Sequence, residues 1–293
     1  MVGSTAQATS AAPTGRFAAF SFVDQITQIQ GVTRVCGLYT IPANIEHFPA
    51  SLVAEALGQL AAWVAMSTLD FSQRPVAALA GDTKIFSLPK PGDTLELIVD
   101  IESCDAESIV YRGHALVNGC LVLELADTVG SMLDIHAFDD PAALAADFAR
   151  LCAEGRAAGA FKGVPRASLT DLPESTPEHL QALLAVPAQA AFFEDHFPRR
   201  PVFPATLLLD ALLQLAIRVA ALASGDTTLH LTRITNVKVR AFTAPGANLL
   251  LSAQLAAPGV DDLEPFLVKL TAQADGKTIA GAKMYFALAG ETA

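Results

Sequence analysis

Phe192-Phe193-Glu194-Asp195-His196-Phe197-Pro198-Arg199-Arg200-Pro201-Val202-Phe203-Pro204-Ala205-Thr206-Leu207-Leu208-Leu209-Asp210 is an aromatic, proline-punctuated loop that runs into a very apolar helix. The loop holds one histidine, His196, and the helix start holds one acid, Asp210. A base and an acid beside apolar surface are the raw material of proton-transfer chemistry.

Part of this stretch occurs twice. Phe48-Pro49-Ala50-Ser51-Leu52-Val53-Ala54-Glu55-Ala56-Leu57-Gly58-Gln59-Leu60-Ala61 matches the run from Phe203 to Ala216 without a gap, at an offset of 155. Downstream, Lys84 and Pro91-Gly92 match Lys238 and Pro245-Gly246 at an offset of 154. The turn pair Asn118-Gly119 matches Asp275-Gly276 at an offset of 157. Three anchors in register mark a duplicated unit.

Each unit reads as one long helix followed by an antiparallel meander. The helices cover 52–69 and 207–223, with Pro49 and Pro204 suited to a helix start and Ser51 and Thr206 offering a hydroxyl near the first turn. Strands are predicted over 77–88, 94–102, 108–117 and 121–133 in the first unit. Their counterparts are 232–241, 248–255, 264–274 and 278–288. Asn118-Gly119 is a strong hairpin signal. Ahead of the first helix, 18–28 reads as helix or strand and 32–40 as a strand; ahead of the second, 176–185 reads as helical and 188–193 as extended. A helix that is apolar on nearly every face calls for a curved sheet wrapped around it. The expected organisation is a disordered tail (1–16), a first unit (17–137), a connector (138–165) whose helix starts at Asp140-Pro141, and a second unit (166–293).

Composition narrows the function. Hydrophobic residues make up 52% and charged residues 17%, with a formal net charge of −11. Phosphate repulsion makes nucleic acid a poor partner for such a chain. The segments 52–69 and 207–223 are apolar, but they carry Glu55 and Gln59 in one and Asp210, Gln214 and Arg218 in the other. Mid-span charges are costly, so core helices are expected and no membrane span. Cys36, Cys104, Cys120 and Cys152 show no metal spacing, and buried reduced thiols suit a cytoplasmic protein. The start of the chain lacks a basic-then-apolar targeting pattern.

The run from His196 to Gln214 resembles the signature of the 3-hydroxyacyl-acyl carrier protein dehydratases, with His, Phe-Pro, Pro-Val-x-Pro and an acid fourteen residues after the His. The resemblance covers the second unit well and the first from Phe48 to about Leu133. It implies an α+β double hot-dog fold, each unit a sheet around one helix. It implies dehydration of a 3-hydroxyacyl thioester to a trans-2-enoyl thioester in fatty acid or polyketide-type biosynthesis. The substrate would ride on the phosphopantetheine of an acyl carrier protein, or on CoA, with no metal and no redox cofactor. A homodimer of the fused pair stays open.

In such folds the histidine of one unit faces the acid of the other, so His196 is expected to work with Glu55. Asp210 would need a histidine from the first unit, where the segment equivalent to His196–Pro201 is missing and His47 aligns with Val202. A second site built from Asp210 and His47 stays open. Ala205, Thr206, Phe193, Phe197 and Val202 are expected around the substrate. The family's glycine after the second proline is Ala205 here, and Arg199-Arg200 replaces the usual small residue. That arginine pair is either solvated or attractive to an acidic carrier. A thioesterase on the same fold, and an inactive hot-dog protein that binds acyl chains or a partner enzyme, remain as other readings.

Overall fold

The structure, a computed structural model, describes residues 19–225, 228–257 and 265–288. The expected tail at 1–16 lies outside them. Two strands, β1 (Gln25–Gln30) and β2 (Arg34–Thr40), precede the first long helix, α1 (Ala50–Thr68). A meander follows: β3 (Gln73–Ile85), β4 (Thr94–Cys104), β5 (Ser108–Val117) and β6 (Cys120–Asp134). After α2 (Pro141–Ala153) the same order returns as β7 (Leu169–Asp171), β8 (His179–Ala185), α3 (Ala205–Ser224), β9 (Leu229–Val239), β10 (Asn248–Ala256), β11 (Phe266–Ala274) and β12 (Lys277–Leu288).

All twelve strands form one antiparallel sheet in the order β1-β2-β4-β5-β6-β3-β9-β12-β11-β10-β8-β7. The order reads the same from either end once each strand is replaced by its repeat. The two halves meet where β3 pairs with β9, from Leu79 opposite Lys238 to Lys84 opposite Arg233. Across that seam Arg233 donates to both carboxylate oxygens of Asp82, at 2.7 and 3.0 Å. Such a two-pronged guanidinium–carboxylate pair fixes orientation as well as contributing attraction.

Local chemistry explains the elements. Asn118-Gly119 and Asp275-Gly276 both take left-handed backbone at their two turn positions, as a two-residue hairpin requires. Strand β5 alternates, with Ile109, Tyr111 and Ala115 buried. Asp140 caps α2 by accepting from the Ala143 N–H at 3.0 Å, and Pro141 opens the helix. Helices α1 and α3 start at Pro49 and Pro204 without a side-chain cap, so Ser51 and Thr206 do not cap them. Both helices are long and apolar enough to cross a membrane by length and composition; here both pack against the sheet and beside each other. Leu57 and Leu212, which are 155 residues apart, are each buried in the shared core. The four cysteines are free thiols but not buried as expected: Cys36 and Cys104 are half-buried, and Cys120 and Cys152 are exposed.

Two expected elements are overturned. Residues 176–185 are not helical: Thr176 bridges to His179, and β8 pairs along β10. Leu180, Ala182 and Leu184 are buried at every second position, the period of a strand with one face on the core. Leu and Ala favour helices, and tertiary pairing overrides that preference here. Residues 188–193 are not extended throughout either, because Ala191–Glu194 forms a 3-10 turn. It folds Phe192 back against Phe193, with ring centroids 4.5 Å apart.

A sheet shared by both units should unfold as one body. Leu57→Ala and Leu212→Ala should each cost about 2–5 kcal/mol, the usual cost of a buried leucine truncation. In urea unfolding each should shift a single transition. Two transitions, of which each variant moves only one, would show the units to be independent.

Candidate active site

The loop that carries His196 is held from three sides. Within the loop, His196 N–H donates to Phe192 O and Val202 N–H donates to His196 O, both at 2.9 Å. From the start of the described chain, Ala19 and Phe20 N–H groups donate to one oxygen of buried Asp195, at 2.7 and 2.8 Å. From the start of the connector, Phe138 O accepts from Arg199 N–H at 3.0 Å, and Phe138 packs with Phe197 and Val202 in a small apolar cluster. Arg199 also reaches His136 O and Asp140 at 3.2 and 3.3 Å. The guanidinium of Arg200 lies over the Phe242 ring at 4.8 Å and nearer the edge of reach over Phe138 at 5.5 Å. The arginine pair is therefore engaged in holding the loop.

His196 itself is half-buried, with Phe20 edge-on at 5.6 Å and Phe197 stacked at 4.1 Å. Its Nδ1 lies 2.9 Å from the Val202 carbonyl oxygen. A carbonyl can only accept, so Nδ1 carries the proton and Nε2 keeps its lone pair. Burial pushes the imidazole below its ordinary pKa, and the positive charge of Arg74 adds to that. Glu55 and the Val202 hydrogen bond pull the other way.

His196 and Glu55 line the same cavity, of about 210 Å³. Glu55 comes from α1 of the first unit and His196 from the second. One carboxylate oxygen accepts from the Thr206 hydroxyl on α3 at 2.9 Å, so this contact also crosses between units. The other accepts from Gln59 at 3.0 Å. Gln59 is in turn fixed by Phe20 O and Phe22 N–H, at 3.1 and 2.8 Å. The acid is thus locked in position by groups that are themselves locked.

Four of the residues expected around a substrate, Val202, Ala205, Thr206 and Phe197, line this cavity. Phe193 does not: it is buried beneath Phe192, outside the cavity wall. The start of α3 supplies donors. Leu207 and Leu208 N–H groups both donate to Pro204 O at 3.1 Å, while those of Ala205 and Thr206 precede the first helical bond. Free N–H groups at a helix start attract negative charge.

Asp210 and His47 face a separate cavity of about 290 Å³, together with Arg166 and Leu52. Burial raises the pKa of Asp210, and His47, Gln214 and Arg166 oppose the rise. Gln214 donates to it at 3.4 Å. The structure therefore separates His196 from Asp210, its neighbour in sequence, and groups it with Glu55. Sequence reasoning missed Arg74, which also lines the first cavity. It follows the first helix at no motif position, and only its counterpart 155 residues on, Leu229, marks it as particular to one unit. Among the described residues no group of three or more His, Cys, Asp and Glu side chains is placed to hold a metal ion.

Comparison with known proteins bears on this geometry. A stretch of 117 residues is 34% identical to a 3-hydroxyacyl-acyl-carrier-protein dehydratase FabZ of Bacillus velezensis and covers 36% of this chain and 82% of that protein. The chain belongs to the FabZ-type dehydratase family. A FabZ of Ruminiclostridium cellulolyticum is also 34% identical, over 36% of this chain and 75% of that protein. With the FabZ of Rhizorhabdus wittichii, at 34% identity over 27% of this chain, the match spans about half, 53%, of the relative. A family model described as ApeI-like, ApeI dehydratase, matches residues 173–274, within the second of the two repeats.

Solved structures match both repeats together. The tesB protein of Mycobacterium avium subsp. paratuberculosis superposes with a TM-score of 0.57 at 13% identity, covering 90% of this chain and 96% of that one. The 12:0-ACP thioesterase of Umbellularia californica gives 0.52 at 11% identity, over 87% and 94%. At such identities the likeness is one of fold, and that fold is the double hot-dog.

The tautomer of His196 is directly measurable. Nitrogen NMR of imidazole-labelled protein should show one histidine with Nδ1 protonated, Nε2 unprotonated and a titration midpoint below about 6.5, the ordinary value. His196→Ala should remove that signal. A proton on Nε2, or a midpoint above the ordinary value, would contradict the geometry.

Proposed function

We propose that this FabZ-type dehydratase eliminates water from a 3-hydroxyacyl thioester, carried on an acyl carrier protein, to give a trans-2-enoyl thioester. The observation that supports the reading is that His196, its Nδ1 bonded to the Val202 carbonyl, lines one cavity with a carboxyl group from the other unit. Nε2 takes the proton alpha to the thioester carbonyl. The Ala205 and Thr206 N–H groups at the start of α3 stabilise the negative charge that develops on the carbonyl oxygen. The C–O bond at the beta carbon breaks, and the Glu55 carboxyl gives its proton to the leaving hydroxyl, which departs as water. The proton held by the imidazole then returns through solvent to restore the pair. Thr206 and Gln59 set the direction in which Glu55 points, and the Thr206 hydroxyl can accept from the carboxyl when it is protonated.

The carrier-bound substrate is supported by what the named FabZ relatives act on, and an acyl-CoA would present the same thioester. The four free thiols suit a reducing compartment such as the cytoplasm. The chemistry described needs only protein side chains and the phosphopantetheine thioester of the substrate. The second cavity is assigned no turnover: it has Asp210 and His47, but not the loop that fixes a histidine tautomer.

Steady-state dehydration of a 3-hydroxyacyl carrier protein tests this reading. His196→Ala and Glu55→Gln should each lower kcat by roughly 10²–10⁴-fold, the usual contribution of a positioned acid or base. Asp210→Asn and His47→Ala should leave it near wild type. Release of free thiol without enoyl product would identify a thioesterase. Binding with no turnover of any acyl carrier substrate would identify an inactive binding protein. Loss of activity in Asp210→Asn with Glu55→Gln unaffected would reverse the assignment of the acid.

The pH dependence has a defined sign. The imidazole must be neutral to act as base, and its pKa is lowered by burial. The acid limb of kcat/KM should therefore fall below about 6.5, with activity lost only as pH drops through that lowered value. An acid limb above the ordinary histidine value would count against His196 as the base.

A further inference from the structure

Arg74 lies in the wall of the catalytic cavity on β3 of the first unit, yet the mechanism above gives it no task. Its side chain is only 15% exposed, and its Nη1 lies 3.2 Å from an oxygen of Asp139, which is fully buried. The other Asp139 oxygen accepts from Asp140 N–H at 2.8 Å, so the carboxylate is held in place. A buried ion pair is a weak source of stability, because desolvation offsets the attraction. Its presence in a catalytic cavity asks for another explanation.

The guanidinium supplies one. Its carbon sits 4.2 Å from the centre of the Phe197 ring. That ring is the one stacked on the His196 imidazole at 4.1 Å. Around the ring, Val76 and Leu133 of the first unit close the small cluster with Phe138 and Val202. Thus Arg74 of the first unit grips the residue next to His196 by charge on aromatic face, and is itself held by Asp139 of the connector. We propose that Arg74 is a positioning residue for the catalytic pair, clamping Phe197 so that the histidine loop of one unit stays seated on the other. The inference rests on His196 as the base.

The asymmetry of the chain fits this assignment. The position 155 residues after Arg74 is Leu229. The unit that receives the histidine loop has the clamp; the unit that faces the shortened loop at Phe48 does not. A desolvated cation–ring contact is stronger than an exposed one and helps decide whether a loop is seated.

Electrostatics add a second signature. The charged groups that face the imidazole are Glu55 from α1 and Arg74 from β3. Burial lowers the Arg74 pKa to about 10, with Asp139, Glu55 and Asp195 opposing, so it stays a cation at neutral pH. Its charge disfavours the imidazolium and keeps the base neutral.

Histidine NMR titration and kinetics on the full chain test the proposal. Arg74→Met should raise the His196 midpoint and lower kcat at least tenfold, since a displaced reacting group can cost about 10²-fold. Arg74→Lys, which keeps the charge, should leave the midpoint close to wild type while recovering only part of kcat. Phe197→Leu, which keeps the cation but removes the ring, should lower kcat without raising the midpoint. Thermal melts identify any variant that fails to fold; if Arg74→Met does, the Lys and Phe197 variants carry the test. A folded Arg74→Met with an unmoved midpoint, or Phe197→Leu with wild-type kcat, would overturn the proposal. The midpoint is read without substrate, so absence of dehydration in the wild type would refute the proposed reaction and leave the positioning claim to the titration.

Discussion

Strand β3 lies against strand β9, and the site depends on that antiparallel seam. Pairing there relates the two units by an approximate twofold, which lays α1 beside α3. Each helix start then faces the other unit's helix. That is why the Thr206 hydroxyl of one unit finds the Glu55 carboxylate of the other at 2.9 Å. Had the units packed through another edge, His196 and Glu55 would stand in separate cavities. The Arg233–Asp82 pair across the seam fixes the register in which they meet.

Duplication frees the two copies to differ. Here the second copy keeps the histidine loop, and the first, with Phe138 of the connector, keeps the surfaces that receive it: Val76, Leu133 and Arg74. The first copy in turn supplies Glu55, while its own loop at His47 is too short to reproduce the His196–Val202 hydrogen bond. The result is one cavity furnished with a tautomer-fixed imidazole and another that holds a buried carboxyl, Asp210, with a pKa raised by burial. An apolar interior is used in two ways: around His196 it favours a neutral base, and around Asp210 it favours a neutral acid.

Much of this was legible in the residues. The repeat of Phe48–Ala61 at Phe203–Ala216 announced two units. The turn pairs Asn118-Gly119 and Asp275-Gly276 announced hairpins because few other residues take left-handed backbone cheaply. The expectation that His196 would share a cavity with Glu55 came from combining the repeat with the family's cross-unit arrangement. What escaped were features set by distant partners. Leu180, Ala182 and Leu184 look helical until β10 is there to pair with them. Phe193 looks like cavity wall until Phe192 folds over it. Arg74 has no motif; its role comes from Asp139, 65 residues on, and from Phe197 in the other unit. Such contacts leave no local pattern in a single sequence.

The central claim is that His196 and Glu55, from different units, act as one catalytic pair. A double-mutant cycle with His196→Ala and Glu55→Gln measures this most directly, because residues that act as a unit are strongly non-additive. The account predicts that the double variant dehydrates a 3-hydroxyacyl carrier protein no more slowly than the slower single variant. Losses that multiply, so that the double variant falls by the product of the two single effects, would contradict it.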